Sequence, residues 1–302
     1  MALIEAIVSG ILFGATYSLV AIGFTLIFGV IHRLNVAHGA IIMVCAYAGA
    51  SVSILFGGAE SYWVLLFAFV TSVSTGVVLG LLVELVAFRP LKNAWYLAPF
   101  VTTIGLTIAL EEIFLHLARK VPIFSPEYTP FPSPLENIGF NVGDIYFRGV
   151  YLVNFVIALL IMFALHQWIH QSRSGRAMRV VEENIDVALL MGIDVRKVEM
   201  IAFAVASGLA GAAGCMIGTA TGSVYPFMGA QLLLICFVVI VLAGLGNVRG
   251  AMIGGIFVGV IETVTVSLIS ATYKHAVLFI ILFIVLVLRP EGIFTRINTK
   301  RD

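Results

Sequence analysis

A helix that crosses a bilayer needs about 20 consecutive, mostly apolar residues, and nine runs in this sequence meet or approach that length. They are Leu3–Ile31, Leu34–Phe56, Tyr62–Phe88, Trp95–Leu117, Val150–His170, Met200–Thr221, Phe227–Leu245, Ala251–Ser270 and His275–Leu288. Together they occupy most of the 302 residues and leave no room for a water-soluble domain. Charge is correspondingly scarce: 17 Lys and Arg and 16 Asp and Glu make up 11% of the chain, where a soluble domain carries about 25%. With 61% hydrophobic residues the chain cannot cover itself with polar side chains, which excludes a cytosolic enzyme, a nucleic-acid binder and a disordered regulator. The runs are solid rather than alternating, so an outer-membrane barrel is excluded too. The expected fold is all-α: a single polytopic membrane bundle over residues 1–302 with 8–9 transmembrane helices.

No Lys or Arg precedes the first run, and no small-residue cleavage site followed by a polar stretch ends it, so it reads as a retained helix rather than a signal peptide. Cys45, Cys215 and Cys236 all fall inside runs, where a thiol acts as a small hydrophobe. No disulfide framework is expected.

Lys and Arg near span ends favour the cytoplasmic side. Alternate connections divide the 17 basic residues unequally. One set holds Arg33, Arg89, Lys92, Arg173, Arg176, Arg179, Arg196, Lys197, Arg249, Arg289, Arg296, Lys300 and Arg301; the other holds only Arg119, Lys120, Arg148 and Lys274. The segment 172–199 and the C-terminus are therefore expected in the cytoplasm, and the loop 118–149 outside. Nine crossings would also put the N-terminus outside, and eight would move it inside.

The outer loop contains Pro122, Pro126, Pro130, Pro132 and Pro134 among Phe124, Tyr128, Phe131, Phe140, Tyr146 and Phe147. Proline interrupts helices and pre-sets turns, so this is an ordered cap, either a packed lid or a docking face for an external partner. The inner segment reads as two short helices meeting at Gly192. Ser174 is expected to cap the first and Asp194 to cap a further helix that runs into the span at Met200. Ala177, Val180, Val181, Val187, Ala188 and Met191 recur at three- and four-residue steps, with Arg and Glu on the opposite face. Such an element lies on lipid headgroups or docks a protein; acids mixed with bases on its polar face favour the protein.

Small-xxx-small pairs at Gly10/Gly14, Gly76/Gly80, Gly214/Gly218, Gly250/Gly254 and Gly255/Gly259 predict close helix packing. Two places look alike, residues 28–39 and 242–250, each ending an apolar run with Gly, Asn, a basic residue and Gly. They are either paired helix interruptions of an internal repeat or ordinary tight turns. Among ionisable residues inside spans, Glu262 is the sharpest, either lining a path or pairing with a polar neighbour. Glu84 is expected to snorkel or pair with Arg89 at the inner boundary, and Glu111, Glu112 and His116 to sit at the outer rim near Arg119 and Lys120. His166 and His170 have a metal-compatible spacing but no adjoining Glu, so no metal site is expected. No phosphate-binding loop with its lysine occurs, so energy for active transport would come from a gradient or from another subunit.

Three motifs carry a resemblance that spans nearly the whole chain. They are Asn35-Val-Ala-His-Gly39; Ser172-Arg-Ser-Gly-Arg-Ala-Met-Arg179 with Met191-Gly-Ile-Asp194; and Gly244-Leu-Gly-Asn-Val-Arg-Gly-Ala-Met-Ile-Gly-Gly255 leading to Glu262. The sequence resembles the inner-membrane permease subunits of ABC importers for branched-chain amino acids, the LivH type. A departure is Asn247, where a serine is expected. The resemblance implies a multi-pass subunit without its own ATPase site or cofactor. The implied partners are a second permease of similar fold, two ATPase subunits and a soluble binding protein that delivers leucine, isoleucine or valine. It also implies that Gly175, Arg176, Arg179, Glu182, Glu183, Met191, Gly192 and Asp194 couple to the ATPase. Asn35, His38, Gly39, Asn247 and Glu262 are the pathway candidates. Related permeases serve urea, amides or other amino acids, and a stand-alone secondary transporter is the rival class.

Overall fold

The computed structural model describes residues 2–58, 61–92, 94–135, 138–142, 145–289 and 292–293. Every expected run is helical. The long helices are α1 (Ala2–Ile31), α2 (Ala37–Leu55), α3 (Tyr62–Val83, continued by a π-helical turn to Phe88), α4 (Ala98–Lys120) and α5 (Gly149–Gln171). Two short helices, α6 (Arg173–Glu183) and α7 (Ile185–Leu190), precede α8 (Val195–Thr221), α9 (Met228–Ala243), α10 (Val248–Leu268) and α11 (Lys274–Leu288). Eight helical stretches are long and apolar enough to span a membrane, and α9 is shorter.

Burial sorts these helices into a centre and a shell. In the most apolar windows of α1, α2 and α8, 78%, 72% and 78% of residues are buried, against 11% in α4 and in α11. A helix that is apolar all round belongs in the interior of a bundle or against lipid; the three central helices take the first role and the shell helices the second. Tyr47, Phe203, Ile22, Ile41 and Met216 are among the side chains that fill the centre.

Glycine sets how closely the helices approach. Gly10 and Gly14 of α1 face Gly255 and Gly259 of α10, and a Cβ on Gly14 would lie 2.8 Å from the Ile256 Cα. On the opposite flank, Gly76 and Gly80 of α3 pack on Ser207 and Phe203 of α8. The expected pairing of small residues thus becomes two backbone-to-backbone seams, α1–α10 and α3–α8.

These seams are the two halves of an inverted pair. Helices α1, α2 and α3 correspond to α8, α9 and α10 with reversed direction: α1 packs on α10 as α8 packs on α3, while α1 meets α8 and α2 meets α9. At the join, a Cβ on Gly229 would lie 2.6 Å from the carbonyl of Gly39, and a Cβ on Gly39 would collide with the carbonyl of Gly229. The internal repeat is therefore present, but its paired interruptions are not the two that the sequence suggested. Residues 32–36 correspond to 222–227, each an irregular stretch leading to a helix that starts within the bundle. Residues 244–247 instead form a tight turn with positive φ at Gly244 and Gly246.

The loop 118–149 is an ordered cap with a little β structure that its composition did not announce. Strand β1 (Thr129–Pro130) pairs antiparallel with β4 (Ser223–Val224), and β2 (Gly139–Val142) with β3 (Ile145–Arg148). Phe131 is buried, wedged against Gly49 and Gly218. Nothing is described for the side chains of Phe140, Tyr146 and Phe147, and Arg296, Lys300 and Arg301 lie outside the described residues.

The first and last described residues lie at opposite ends of the bundle. Glu5 shares a cavity with Arg148 and Thr221 at the loop end, whereas the Ile293 amide donates to Leu242 O at the other end. Opposite ends require an odd number of passages, so α9 counts as the ninth.

Candidate functional site

Two regions hold the expected site residues: the segment α6–α7 with its flanks, and the bundle centre around the start of α2.

Local capping builds the segment. The Ser172 hydroxyl, not Ser174, caps α6 by accepting from the Gly175 amide at 2.9 Å. Ser174 already lies within the helix. The division between the short helices falls at Asn184 rather than Gly192. The Asn184 side chain accepts from the amides of Asp186 and Val187 at 2.9 and 3.1 Å and starts α7. Gly192 instead ends α7. Its φ is +74°, its amide donates to Leu189 O, and the Ile193 amide donates to Ala188 O, both at 3.0 Å; this is a Schellman closure that favours glycine. Asp194 then caps α8 as expected, accepting from the Lys197 amide at 3.2 Å. These hydrogen bonds, with the Lys197 side chain nearby, hold the Asp194 carboxyl below the usual carboxylate range.

The unit is seated firmly on one side and open on the other. Met178, Val181 and Ala188 are buried with Val30 of α1 and Val195, Val198 and Ala202 of α8. Gly175 allows α6 to press on the end of α5, since a Cβ there would lie 2.5 Å from Trp168 O. The Glu182 carboxylate rests against Gly29 of α1 and Gly246 of the α9–α10 turn, and its burial there raises its pKa. Arg176, Arg179, Glu183, Met191, Gly192 and Asp194 are exposed. So are Val187, Leu189, Leu190 and Met191, with Leu190 at 88%. The apolar tip is thus open, while its base is joined to α1, α5 and α8. The sequence reading found the polar face; it missed Leu189 and Leu190, whose adjacent positions signal an apolar tip.

In the bundle centre, Asn35, His38 and Gly39 come together. His38 is fully buried with Nε2 3.2 Å from Val20 O, and Val20 lies about 16 Å along α1 from its end at 1.5 Å rise per residue. The start of α2 is therefore deep in the bundle. Among the described residues, neither side-chain atom of Asn35 and not Nδ1 of His38 has a hydrogen-bond partner. Buried polar groups without partners are rare, and His38 adjoins Gly39, where the N-termini of α2 and α9 meet with dipoles that favour negative charge.

Asn247 and Glu262 lie elsewhere, near opposite ends of α10. Asn247 caps α10 by accepting from the Gly250 amide at 2.9 Å, a role that a serine also performs. Glu262 is buried, and its Oε1 accepts from Lys274 Nζ at 2.7 Å. It also lines a cavity at the loop end, so pairing and lining are combined in one residue. At the rim, among the described residues, Glu84 and Arg89 form no ion pair, nor do Glu111 and Glu112 with Arg119 or Lys120; Lys92 pairs instead with Glu199 at 3.1 Å. The His170 ring stacks on His166, with Nδ1 2.9 Å from the His166 carbonyl and Nε2 3.3 Å from Arg249 Nη2. The three cysteines are free and buried.

Comparison with known proteins bears on this arrangement as a whole. A family model described as branched-chain amino acid transport system / permease component matches residues 6–286. The chain is similar to the high-affinity branched-chain amino acid transport system permease protein LivH of Escherichia coli K12, with 31% identity over 99% of this chain and 97% of the relative. The same figures hold for LivH of Salmonella typhimurium and for BraD of Pseudomonas aeruginosa. No solved structure matches.

Proposed function

The chain belongs to the family of branched-chain amino acid transport permease components, and from that premise we propose how it works within an ABC importer. It is a multi-pass membrane subunit that moves branched-chain amino acids and carries no ATPase site. It pairs with a second permease of similar fold, two ATPase subunits and a binding protein at the loop end. The end bearing α6 and α7 faces the cytoplasm, in line with the basic residues described on that side, among them Arg33, Arg89, Lys92, Arg173, Arg196 and Arg249. The α6–α7 unit meets an ATPase, with Leu190 and Met191 as apolar contacts and Arg176, Arg179 and Glu183 around them. Gly175, Glu182, Gly192 and Asp194 fix the unit in place. The observation that supports this reading is the combination of an exposed apolar tip with a base buried against α1 and α8.

Mechanically, closure of the ATPase pair displaces α6–α7, and Glu182 and Val181 carry the displacement to the end of α1 and to the α9–α10 turn. The two halves, built on the α1–α10 and α3–α8 seams, meet at the α1–α8 and α2–α9 contacts, and relative motion of the halves falls there. Asn35, His38 and Gly39 sit at that contact, where the unpartnered amide and the helix N-termini can meet a passing carboxylate. Asn247 fixes the turn that α6 pushes, and Glu262 stands at the loop end. A change of state requires differential contacts with the two states, which the ATPase supplies through the tip.

The test is reconstitution of this chain with its second permease, ATPases and binding protein in liposomes. ATP-dependent uptake of leucine, isoleucine or valine, with ATPase activity stimulated by loaded binding protein, is expected. Uptake by this chain alone would refute the reading in favour of a secondary transporter, and stimulation only by urea or amides would refute the cargo.

A further inference from the structure

A cavity of about 550 Å³ opens at the loop end between α1, α5, α8 and α10, within the range of small-ligand sites. Its chemistry is divided. Arg148, the last residue of β3 and the one before α5, contributes a guanidinium whose Nη1 donates to Ala220 O at 3.1 Å. Its Cζ lies 5.6 Å from the Tyr151 ring centre, so the fork is oriented while donors remain free. Glu262 contributes a carboxylate that is 7% exposed. Its Oε1 is held by Lys274 and the Tyr17 hydroxyl lies beside the carboxylate, while Oε2 is buried without a hydrogen-bond partner of normal geometry among the described residues. Glu5 stands nearby, and Phe13 gives an apolar flank.

Buried carboxylate oxygens without donors are unfavourable unless something supplies one. A simple cation is a poor fit, because Arg148 shares the cavity. An anion is a poor fit because Glu262 and Glu5 do. With Lys274 included, the four charges cancel, and a neutral molecule with separated charges satisfies both walls. The floor is rigid, since Thr263 Oγ1 donates to Ala6 O at 2.7 Å and the glycine seam between α1 and α10 continues beneath it.

We propose that this cavity is a transient binding site for the zwitterionic head of the transported amino acid, with Arg148 taking the carboxylate, the acidic wall of Glu5 and Glu262 the ammonium, and Phe13 the branched side chain. The proposal rests on the transport reading above. It places a first station for substrate on the permease itself, beside the cap.

Equilibrium binding of tritiated leucine to the complete importer in nanodiscs, without binding protein, tests this. Saturable binding is expected, weakened at least tenfold by Arg148→Gln and by Glu262→Gln. Leucinamide, which lacks the carboxylate, should be insensitive to Arg148→Gln, and 4-methylpentanoate, which lacks the amine, insensitive to Glu262→Gln. A complex that imports leucine yet shows no saturable binding, or whose binding ignores both substitutions, overturns the site alone. Loss for all three ligands alike in Glu262→Gln assigns Glu262 a structural role and also overturns it. A complete complex that imports no branched-chain amino acid overturns the transport reading and the site together.

Discussion

At Gly192 the φ of +74° meets open space where a Cβ would project, so substitution there is opposed by the backbone alone. Alanine is expected to destabilise the α7 closure by about 1–2 kcal/mol, seen as faster amide exchange over residues 185–194 with the rest of the bundle unchanged. Proline cannot take that φ and loses the donor to Leu189, so Gly192→Pro should separate ATPase activity from uptake. Glu182 carries a second residue-scale prediction. Its pKa is raised by burial against Gly29 and Gly246, so the folded state retains a proton that the unfolded chain has released. The stability this contributes is complete below the ordinary glutamate value near 4.3 and is lost as pH rises through the raised value. Thermal stability of the complex should fall across that window in the parent and be flatter in Glu182→Gln. Asp194 was legible as a cap because Asp before an amphipathic run is a local signal. The cap of α6 was placed two residues late, at Ser174, because Ser172 and Ser174 are both N-cap residue types, and only the packing of Gly175 on α5 selects the first.

At the scale of elements, α6–α7 and the α1–α10 seam make distinct predictions. Arg176→Glu reverses charge on the exposed side of α6 without touching its buried face, so assembly of the membrane bundle should persist while stimulated ATPase activity and uptake become uncoupled. Normal transport would refute the docking role. In the seam, Gly259→Val forces a side chain into the backbone of α1 near Gly14. Overpacking of this kind costs about 1–3 kcal/mol, and a lower thermal midpoint in detergent is the expected reading. The small-xxx-small spacing made these faces visible, since period four on a helix is a local property. It could not say which face meets which, because that pairing depends on contacts more than 200 positions apart in the chain, such as Thr263 with Ala6.

For the whole molecule, the odd number of passages follows from where Glu5 and Ile293 lie. Cysteines introduced at Glu5 and at Arg249 should therefore react with a membrane-impermeant maleimide from opposite faces of sealed vesicles; the native thiols are buried and give little background. Labelling of both from one face would refute the odd count. Bundle class and the position of each span were readable from apolar runs alone, because bilayer thickness imposes a length. The inverted pair was only half readable. The irregular stretch at 32–36 is marked by Arg33 and Asn35, but its counterpart at 222–227 carries no charge and opens on Gly222, so Asn247 drew attention to a plain turn instead.

The pairing of β1 with β4 has a thermodynamic consequence. The Phe131 amide donates to Gly222 O at 2.9 Å and Ser53 donates to Pro132 O, so the cap is tied to the stretch that leads into α9, six residues from the Gly39–Gly229 contact. If a protein seated on the cap shifts the balance between two arrangements of that contact, linkage demands reciprocity. Nucleotide bound on the far side must then change the grip on the cap by the same factor, and the cap becomes a place where the state of the remote engine can be read out as an affinity.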